Sequence, residues 1–272
     1  METSSAQVLR DLHDGDDLFV LPNPYDLGTA KLLTSMGFAA LATTSAGLAR
    51  TLGRPDGARS VSAAEAIEHA RQMTEATDLP VTGDFEDGFA VDPAGVADTV
   101  SAARAAGVAG CCIEDATYDR SDPIHDLLLA TDRIAAAAEA AHTDGHPFVL
   151  TARAENMLYG VDDLADTIAR VSAYAAAGAD AVYAPGLVSL DHISRVVEAV
   201  EVPVNVLIGL PGQDWSLADL AVLGVRRVSV GSAFSRAAFA AVHHAAQQLL
   251  DTGRLEPRGA GLPDLDSLFA AD

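Results

Sequence analysis

The feature that most constrains the fold is a regular alternation of short apolar runs with longer helical patterns along the chain. Eight such units, each about 25 to 35 residues long, favour a (β/α)8 barrel, the α/β class in which parallel strands are joined by helices. A doubly wound open sheet is the alternative, but no G-x-G-x-x-G follows the first strand. The predicted strands cover residues 18–21, 38–43, 80–87, 110–115, 147–156, 181–184, 203–208 and 227–231.

Length and composition agree with one barrel domain over residues 1–272, with a C-terminal arm from about residue 253. The chain is 49% hydrophobic, yet it has neither an apolar stretch of the ~18 residues that span a bilayer nor a signal-peptide pattern. We therefore expect a cytoplasmic protein. A net charge of −22 argues against nucleic acid and anionic membrane as partners, because both bind basic patches. The adjacent Cys111 and Cys112 are predicted to be small core residues.

Acidic side chains follow two of the predicted strands. Asp84 and Glu86 lie on one face of the third strand because strand side chains alternate, and Gly88 then ends the strand. Glu114 ends the fourth strand and joins them if the two strands pair. Three carboxylates this close repel one another, so either some are protonated or a hard cation such as Mg²⁺ or Mn²⁺ lies among them. The alternative is three solvated loop carboxylates.

Other polar groups also fall at predicted strand ends. Arg153 lies among acids, where it forms either a structural ion pair or a fork for a substrate carboxylate. Residues 44–47 form either an ordinary turn or one whose backbone N–H groups bind an anion. Barrel active sites lie at the C-terminal ends of strands, so this convergence favours a functional site. Its six residues are Ser45, Asp84, Glu86, Glu114, Arg153 and Asn205.

Six short motifs lie in the C-terminal parts of predicted strands or in the loops after them: Pro22-Asn23, Thr44-Ser45-Ala46-Gly47, Leu52-Gly53-Arg54-Pro55-Asp56-Gly57, Gly83-Asp84-Phe85-Glu86, Ile113-Glu114-Asp115 and Ala152-Arg153-Ala154-Glu155. In this order they resemble the isocitrate lyase and phosphoenolpyruvate mutase superfamily. The resemblance runs from about residue 18 to about residue 250 and is specific to the superfamily, not to one activity. It implies a Mg²⁺-dependent barrel that converts 2-oxo or 2-hydroxy carboxylates through an enolate-like intermediate.

The resemblance also implies residue roles and an assembly. A Mg²⁺ ion, or Mn²⁺ in its place, would be bound most directly by Asp84, with its waters held by Asp56, Glu86 and Glu114. The substrate would be bound by Ser45, Ala46, Gly47, Arg153 and Asn205. Catalytic roles would fall to Arg153 and Glu114, and Tyr118 is a further catalytic candidate from this chain's own loop, not from the resemblance. Relatives of this kind form homodimers or homotetramers in which a C-terminal helix packs on a neighbour.

The loop at residues 116–123 departs from the superfamily pattern. Lyases of isocitrate and methylisocitrate carry Lys-Cys-Gly-His there, whereas this chain has Thr117-Tyr118-Asp119-Arg120-Ser121-Asp122 and lacks the acid thiol. The glutamate that ends the sixth strand in those lyases is Pro185 here, and the Pro-Lys loop of the mutases and hydrolases is also absent. Glu86 stands where the motif usually has aspartate. Tyr118 either replaces the thiol as the acid or packs the closed loop.

Taken together, the sequence favours a lyase that breaks or forms a carbon–carbon bond beside a carboxylated enolate, with decarboxylation as the simplest case. Phosphoryl or phosphonate chemistry on phosphoenolpyruvate-like compounds is the second hypothesis, and a non-catalytic metabolite-binding barrel is the third. The acidic cluster argues against the third, because an unused site has no reason to keep repelling carboxylates. We expect little cleavage of isocitrate or methylisocitrate, because the acid thiol is missing.

Overall fold

The protein is described by a computed structural model that covers residues 3–57, 59–255 and 261–270. Its strands are all parallel and are shorter than the sequence predicts. They are β1 (Phe19–Leu21), β2 (Leu41–Ala42), β3 (Val81–Asp84), β4 (Gly110–Glu114), β5 (Val149–Arg153), β6 (Ala181–Tyr183), β7 (Val204–Leu207) and β8 (Arg227–Ser229).

The strands form one sheet that curls into a barrel. Each strand pairs with its neighbour in the order β1-β8-β7-β6-β5-β4-β3-β2. Between the two outer strands, the backbone N–H of Ala42 donates to the carbonyl of Pro22 at 3.0 Å, and Asn23 Nδ2 donates to the carbonyl of Thr43 at 2.9 Å. These bonds bring β1 and β2 together, and the predicted (β/α)8 barrel is confirmed.

Helices surround the strands, and several begin at capping residues. Ser62 and Glu65 form a reciprocal capping box, Asp26 forms another with Thr29, and Asp92 caps the helix that starts at Pro93. A short 3-10 helix covers Thr143–Gly145. The helices are α1 (Ser5–Asp14), α2 (Leu27–Ser35), α3 (Ser45–Thr51), α4 (Ala63–Glu75), α5 (Pro93–Ala105), α6 (Leu127–Ala141), α7 (Leu164–Ala176), α8 (Leu190–Glu198), α9 (Leu217–Val222), α10 (Ala233–Thr252) and α11 (Leu265–Ala270).

Alternation along each strand separates the core from the interior of the barrel. In β4, Cys111 and Ile113 are fully buried in the large hydrophobic cluster between the sheet and the helices. Cys112 and Glu114 point the other way, into the barrel, because side chains alternate with period 2. Cys112 is therefore not the core residue predicted from the sequence, and it lines the cavity described below.

Two helices differ from the sequence prediction. Helix α1 had no predicted counterpart; it packs on the barrel at residues that start β5, where Arg10 Nη2 donates to the carbonyl of Phe148 at 2.7 Å. Helix α3 begins inside the segment 44–47, which was predicted to be a turn. Thr44 caps it, because its hydroxyl accepts a hydrogen bond from the N–H of Gly47 at 3.2 Å.

The C-terminal helices lie differently on the barrel. Only Ser235 of α10 is buried, so this 20-residue helix leaves most of its surface uncovered. Helix α11 lies against α2, where Lys31 Nζ donates to the carbonyl of Phe269 at 3.2 Å. Residues 256–260 and 271–272 of the predicted arm lie outside the described residues. Within the part of the chain that is described, no helix combines the length and apolar character needed to cross a membrane.

Candidate active site

Three charged residues end neighbouring strands and meet at one end of the barrel. Asp84 is the last residue of β3, Glu114 of β4 and Arg153 of β5, and Glu114 is directly opposite Arg153 in the register. Ser45 follows β2 as the first residue of α3. Asn205 is the second residue of β7, with 2% of its surface exposed, so it lies deeper in the barrel than the predicted strand end.

The guanidinium of Arg153 lies at the centre of the site. Its Nη1 donates to Asp84 Oδ1 at 3.1 Å, and its Nη2 forms an ion pair with Glu114 Oε2 at 3.1 Å. Its Nε donates to Glu155 Oε1 at 2.8 Å, and the guanidinium lies 5.1 Å from the ring centre of Tyr183. This conformation displays the structural ion pair, one of the two predicted roles. A substrate carboxylate would have to displace one of these carboxylates to bind Arg153.

Asp84 is held by groups on both sides. Its Oδ2 accepts a hydrogen bond from the backbone N–H of Ser45 at 2.8 Å, and its Oδ1 accepts one from Cys112 Sγ at 3.4 Å. The N–H of Ser45, predicted to meet a substrate anion, is thus occupied by Asp84. Burial, followed by the charge of Asp84, raises the pKa of the Cys112 thiol to about 12, so Cys112 is a neutral donor.

The predicted anion-binding segment is only partly available to a ligand. Ser45 and Ala46 line the main cavity. Gly47 is buried and its N–H is bonded to the side chain of Thr44, so it is not placed to bind substrate. A Cβ at Gly47 would collide with the side chains of Thr44 and Tyr25. Gly47 is therefore needed for close packing, whereas Ser45 and Ala46 remain candidates for substrate contact.

Glu86 and Asp56 complete the acidic half of the site. Glu86 is 3% exposed, and its Oε2 is buried without a hydrogen-bond partner among the described residues. Burial, then Asp84 and Glu114, raises the pKa of Glu86 to about 8. Burial and then Asp84 also raise the pKa of Asp56. Glu86 has a φ of +49°, a left-handed conformation that is costly for a non-glycine residue and is often found at functional sites.

The donor set fits a hard divalent cation, although the described residues contain no preformed metal cluster. Within residues 3–57, 59–255 and 261–270, no three His, Cys, Asp or Glu side chains already have metal-ligand spacing. The charges of Asp84 and Glu114 are neutralised by ion pairs with Arg153 and not by a cluster of metal ligands. The unpartnered Oε2 of Glu86 and the raised pKa values of Glu86 and Asp56 are what a cation would relieve, because Mg²⁺ binds carboxylate oxygens directly or through water.

The loop that carries Tyr118 folds over this cluster. Tyr118 adopts a left-handed backbone conformation, with φ of +62°, and its hydroxyl donates to Glu114 Oε1 at 2.7 Å. Burial, followed by Glu114 and Glu86, raises the pKa of Tyr118 well above its usual value. Burial also raises the pKa of Glu114, against the opposing charge of Arg153. Tyr118 is therefore placed to orient Glu114 more than to release its own proton.

Two adjoining cavities open at this site. The larger, about 350 Å³, reaches from Ser45 and Asp84 down the barrel to Asn205 and Arg227. The smaller, about 170 Å³, lies over Glu86, Glu114 and Tyr118. The two share Ser45, Asp56, Arg153 and Leu158 in their linings. The space suits a small carboxylic acid whose polar end faces the carboxylate cluster.

Supporting residues behind the site were not predicted. Arg133 of α6 is 1% exposed; its Nη1 donates to the carbonyl of Glu114 at 3.2 Å, and its Nη2 donates to the carbonyl of Asp87. It therefore ties the segment after β3 to the end of β4. Asp115 accepts a hydrogen bond from the backbone N–H of Glu155 at 2.8 Å. Strand alternation could have shown that Asp115 faces the helices, where a buried acid needs partners.

Comparison with known proteins agrees with this geometry. A family model described as phosphoenolpyruvate phosphomutase matches residues 9–250. A protein of known structure from Burkholderia cenocepacia J2315 is 45% identical, with a TM-score of 0.93 and coverage of 98% of this chain and 96% of that chain. An oxaloacetate decarboxylase from Paraburkholderia xenovorans strain LB400 is 30% identical over 93% of this chain and 84% of its own length.

A third similarity concerns a complex with a ligand. The structure of a phosphonopyruvate hydrolase with oxalate and Mg²⁺ is 26% identical, with a TM-score of 0.84 and coverage of 98% of this chain and 94% of that chain. The resemblance predicted from the motifs is confirmed. The chain therefore belongs to the phosphoenolpyruvate phosphomutase family and is an enzyme of the isocitrate lyase and phosphoenolpyruvate mutase superfamily.

Proposed function

We propose that the protein is a Mg²⁺-dependent lyase that breaks a carbon–carbon bond beside a 2-oxo or 2-hydroxy carboxylate, with decarboxylation as the simplest case. The observation that carries the proposal is the carboxylate cluster at the barrel end, in which Glu86 Oε2 is buried and has no hydrogen-bond partner among the described residues. The similarity to an oxaloacetate decarboxylase supports carbon–carbon chemistry, and the Mg²⁺ complex of a related hydrolase supports the metal. Mn²⁺ is an alternative ion with the same ligand preference.

The residues of this chain would prepare the substrate for bond breaking. Asp84, Glu86, Glu114 and Asp56 would hold Mg²⁺, which when bound supplies a Lewis acid for negative charge on the 2-oxo oxygen. Ser45 and Ala46 line the cavity where the substrate carboxylate would lie. Arg153 keeps Asp84 and Glu114 in place through its ion pairs. These groups stabilise charge that develops as the bond breaks, which is the main requirement of the reaction.

Proton delivery separates the possible lyase reactions. In decarboxylation of a β-oxo acid, the bond to the departing carboxylate breaks, CO₂ leaves, and the remaining enolate carbon takes one proton. Water can supply that proton to a small product. Cleavage into two larger fragments needs a positioned acid. The Tyr118 hydroxyl is a poor acid for this step, because it donates a hydrogen bond to Glu114 and the pKa of Tyr118 is raised. The site therefore favours reactions that require little of the 116–123 loop.

The test is a screen with purified protein and Mg²⁺ against oxaloacetate, alkylmalates, methylisocitrate, phosphoenolpyruvate and phosphonopyruvate. We expect pyruvate, or another 2-oxo acid, to be released from a carbon substrate, and EDTA to abolish the reaction. Phosphorus NMR of the last two compounds tests the second candidate, phosphonate chemistry, which the likeness to a phosphonopyruvate hydrolase favours. Turnover of phosphonopyruvate alone would replace the lyase proposal. Binding without turnover of any compound would favour the metabolite-binding alternative.

We also propose that the protein works in the cytoplasm as a homodimer or homotetramer. Helix α10 exposes an apolar series, with Phe239 50% and Val242 68% exposed. A separate groove of about 340 Å³ lies between α2, α3 and α4 and is lined partly by Leu27, Leu48 and Leu52. We propose that further copies of the chain cover these two apolar surfaces. Neither surface is basic, so the proposal includes no nucleic acid or membrane partner.

A further inference from the structure

Arg227 lies on the floor of the larger cavity, where the barrel interior holds small and polar side chains. It is the first residue of β8 and is only 4% exposed. Its Nε donates to Asn205 Oδ1 at 2.9 Å, and its Nη1 lies 3.1 Å from His13 Nε2. Both partners are neutral groups. The Asn205 amide does not ionise, and burial lowers the pKa of His13 to about 3, so its imidazole is uncharged at neutral pH.

The positive charge of Arg227 is not balanced by an acid. No carboxylate of the described residues forms an ion pair with it, and its Nη2 has no hydrogen-bond partner there. Burial lowers the pKa of Arg227 only to about 10, so the group stays charged at neutral pH. A buried cation without a counter-ion is strongly destabilising. The chain has 39 acidic and only 17 basic residues, which makes this isolation unusual.

Two more arginines face the same cavity. Arg50 and Arg236 line it, and the Nη1 of Arg50 is buried without a hydrogen-bond partner among the described residues. Arg153, by contrast, contacts Asp84, Glu114 and Glu155. The lining therefore combines a carboxylate cluster around Arg153 with arginines that have available N–H donors. Such donors bind carboxylate or phosphonate oxygens, for which the guanidinium geometry is suited.

We infer that the substrate carries a second anionic group, remote from the end that forms the enolate, and that Arg227 binds this group at the floor of the cavity. The inference rests on the proposed function, because that function places the enolate-forming end at the carboxylate cluster. The ligand class is a 2-oxo or 2-hydroxy acid with a further carboxylate or an equivalent anion. A cavity of about 350 Å³ has room for such a small molecule.

The second anionic group is one that the substrate keeps. Loss of CO₂ turns a charged carboxylate into a neutral molecule, so an arginine bound to the departing carboxylate would stabilise the reactant and slow the reaction. A group that remains on the product loses no charge, and its binding energy helps to hold the reacting end in place. We therefore expect the anion that Arg227 binds to remain charged on a product, and not to be a carboxylate that leaves as CO₂.

The experiment measures binding by calorimetry with Mg²⁺ present, so that no turnover is needed. Oxalate probes the enolate-forming end alone, and 2-oxoglutarate adds a second carboxylate but has no β-carboxylate to lose. We expect Arg227→Met to weaken 2-oxoglutarate at least about tenfold and oxalate by less than about threefold. Equal weakening of both ligands would overturn the inference. So would 2-oxoglutarate binding that Arg227→Met leaves unchanged.

Two controls separate the alternatives. His13→Leu removes the contact with α1 but keeps the guanidinium; the same selective loss in this variant would mean that Arg227 acts only through the packing of α1. If Arg227→Met does not fold, the wild type decides the question, since it should bind 2-oxoglutarate at least about tenfold more tightly than the 5-methyl ester. Equal affinity for acid and ester overturns the inference. Failure of Mg²⁺ and oxalate to bind the wild type refutes the proposed function instead.

Discussion

Glu86→Gln tests whether the buried acidic cluster is built for a cation. Glu86 is 3% exposed, and its pKa is raised from 4.5 to about 8, first by burial and then by Asp84 and Glu114. A carboxyl group whose pKa is higher in the folded state is held more tightly as the neutral acid. Its contribution to stability is therefore fully present below about pH 4.5 and is lost as the pH rises to about 8.

The pKa change sets the size of the expected effect. A shift from 4.5 to about 8 corresponds to at most about 5 kcal/mol of lost stability in metal-free protein at alkaline pH. Glutamine has a similar shape and no charge, so the variant avoids this loss. At about 2 °C per kcal/mol for a chain of this size, Glu86→Gln should raise Tm at pH 8.5 by up to about 10 °C. At pH 4.5 the two proteins should unfold at nearly the same temperature.

The assay is thermal unfolding followed by circular dichroism, in EDTA and in Mg²⁺, with the exposed Glu139→Gln as the control. Mg²⁺ at about one hundred times its Kd should stabilise the wild type by about 2.7 kcal/mol. The stabilisation by Mg²⁺ should be much smaller in Glu86→Gln. If the variant and the wild type unfold alike in EDTA at pH 8.5, the charge of Glu86 is not destabilising and the reasoning fails.

Four further predictions concern single groups. Asp84→Asn should abolish Mg²⁺ binding by calorimetry and turnover while circular dichroism stays unchanged; full activity in EDTA or in this variant would refute a metal role. Arg153→Lys should lower kcat/KM at least about tenfold, because a compact ammonium cannot reproduce the planar fork of donors with which the guanidinium contacts three carboxylates, and a loss under about threefold would contradict this. Tyr118→Phe removes one hydrogen bond to Glu114 and should lower kcat/KM about tenfold; unimpaired activity would exclude any role of the hydroxyl. Phe239→Asp on α10 should shift the light-scattering mass towards the monomer, and an unchanged oligomer would argue against assembly through this helix.

Much of the site could be predicted because strand alternation and the barrel rule act together. Asp84, Glu114 and Arg153 end three strands that pair in order, so the strand ends place them side by side. The prediction that Asn205 lies at the C-terminal end of its strand is wrong, because β7 continues for two more residues after it. Alternation also puts Arg227 and Ser229 on one face of β8, and this pattern could have indicated an arginine inside the barrel.

Other features depend on contacts that are distant in the sequence. Helix α1 shows apolar spacing at Ala6 and Leu9, but its position against β5 depends on Arg10, which bonds to groups about 140 residues away. The choice between an ion pair and a substrate fork at Arg153 was open for the same reason. The conformation of Arg153 is set by three carboxylates from different strands and loops, and no local sequence pattern determines how these side chains meet.

The charges of the site are consistent with the joint binding of a metal and a substrate proposed above. One guanidinium, Arg153, is shared by Asp84, Glu114 and Glu155, while among the described residues Glu86 Oε2 has no hydrogen-bond partner and Arg227 has no counter-ion. A cation alone would relieve the acids but leave Arg227 isolated, and an anion alone would do the reverse. If a cation and an anionic substrate bind together as proposed, each of these charged groups would gain a partner of opposite sign, and Arg153 would have N–H donors to spare for the substrate. The two ligands would then be coupled through the charges of one cavity, not through a change of fold.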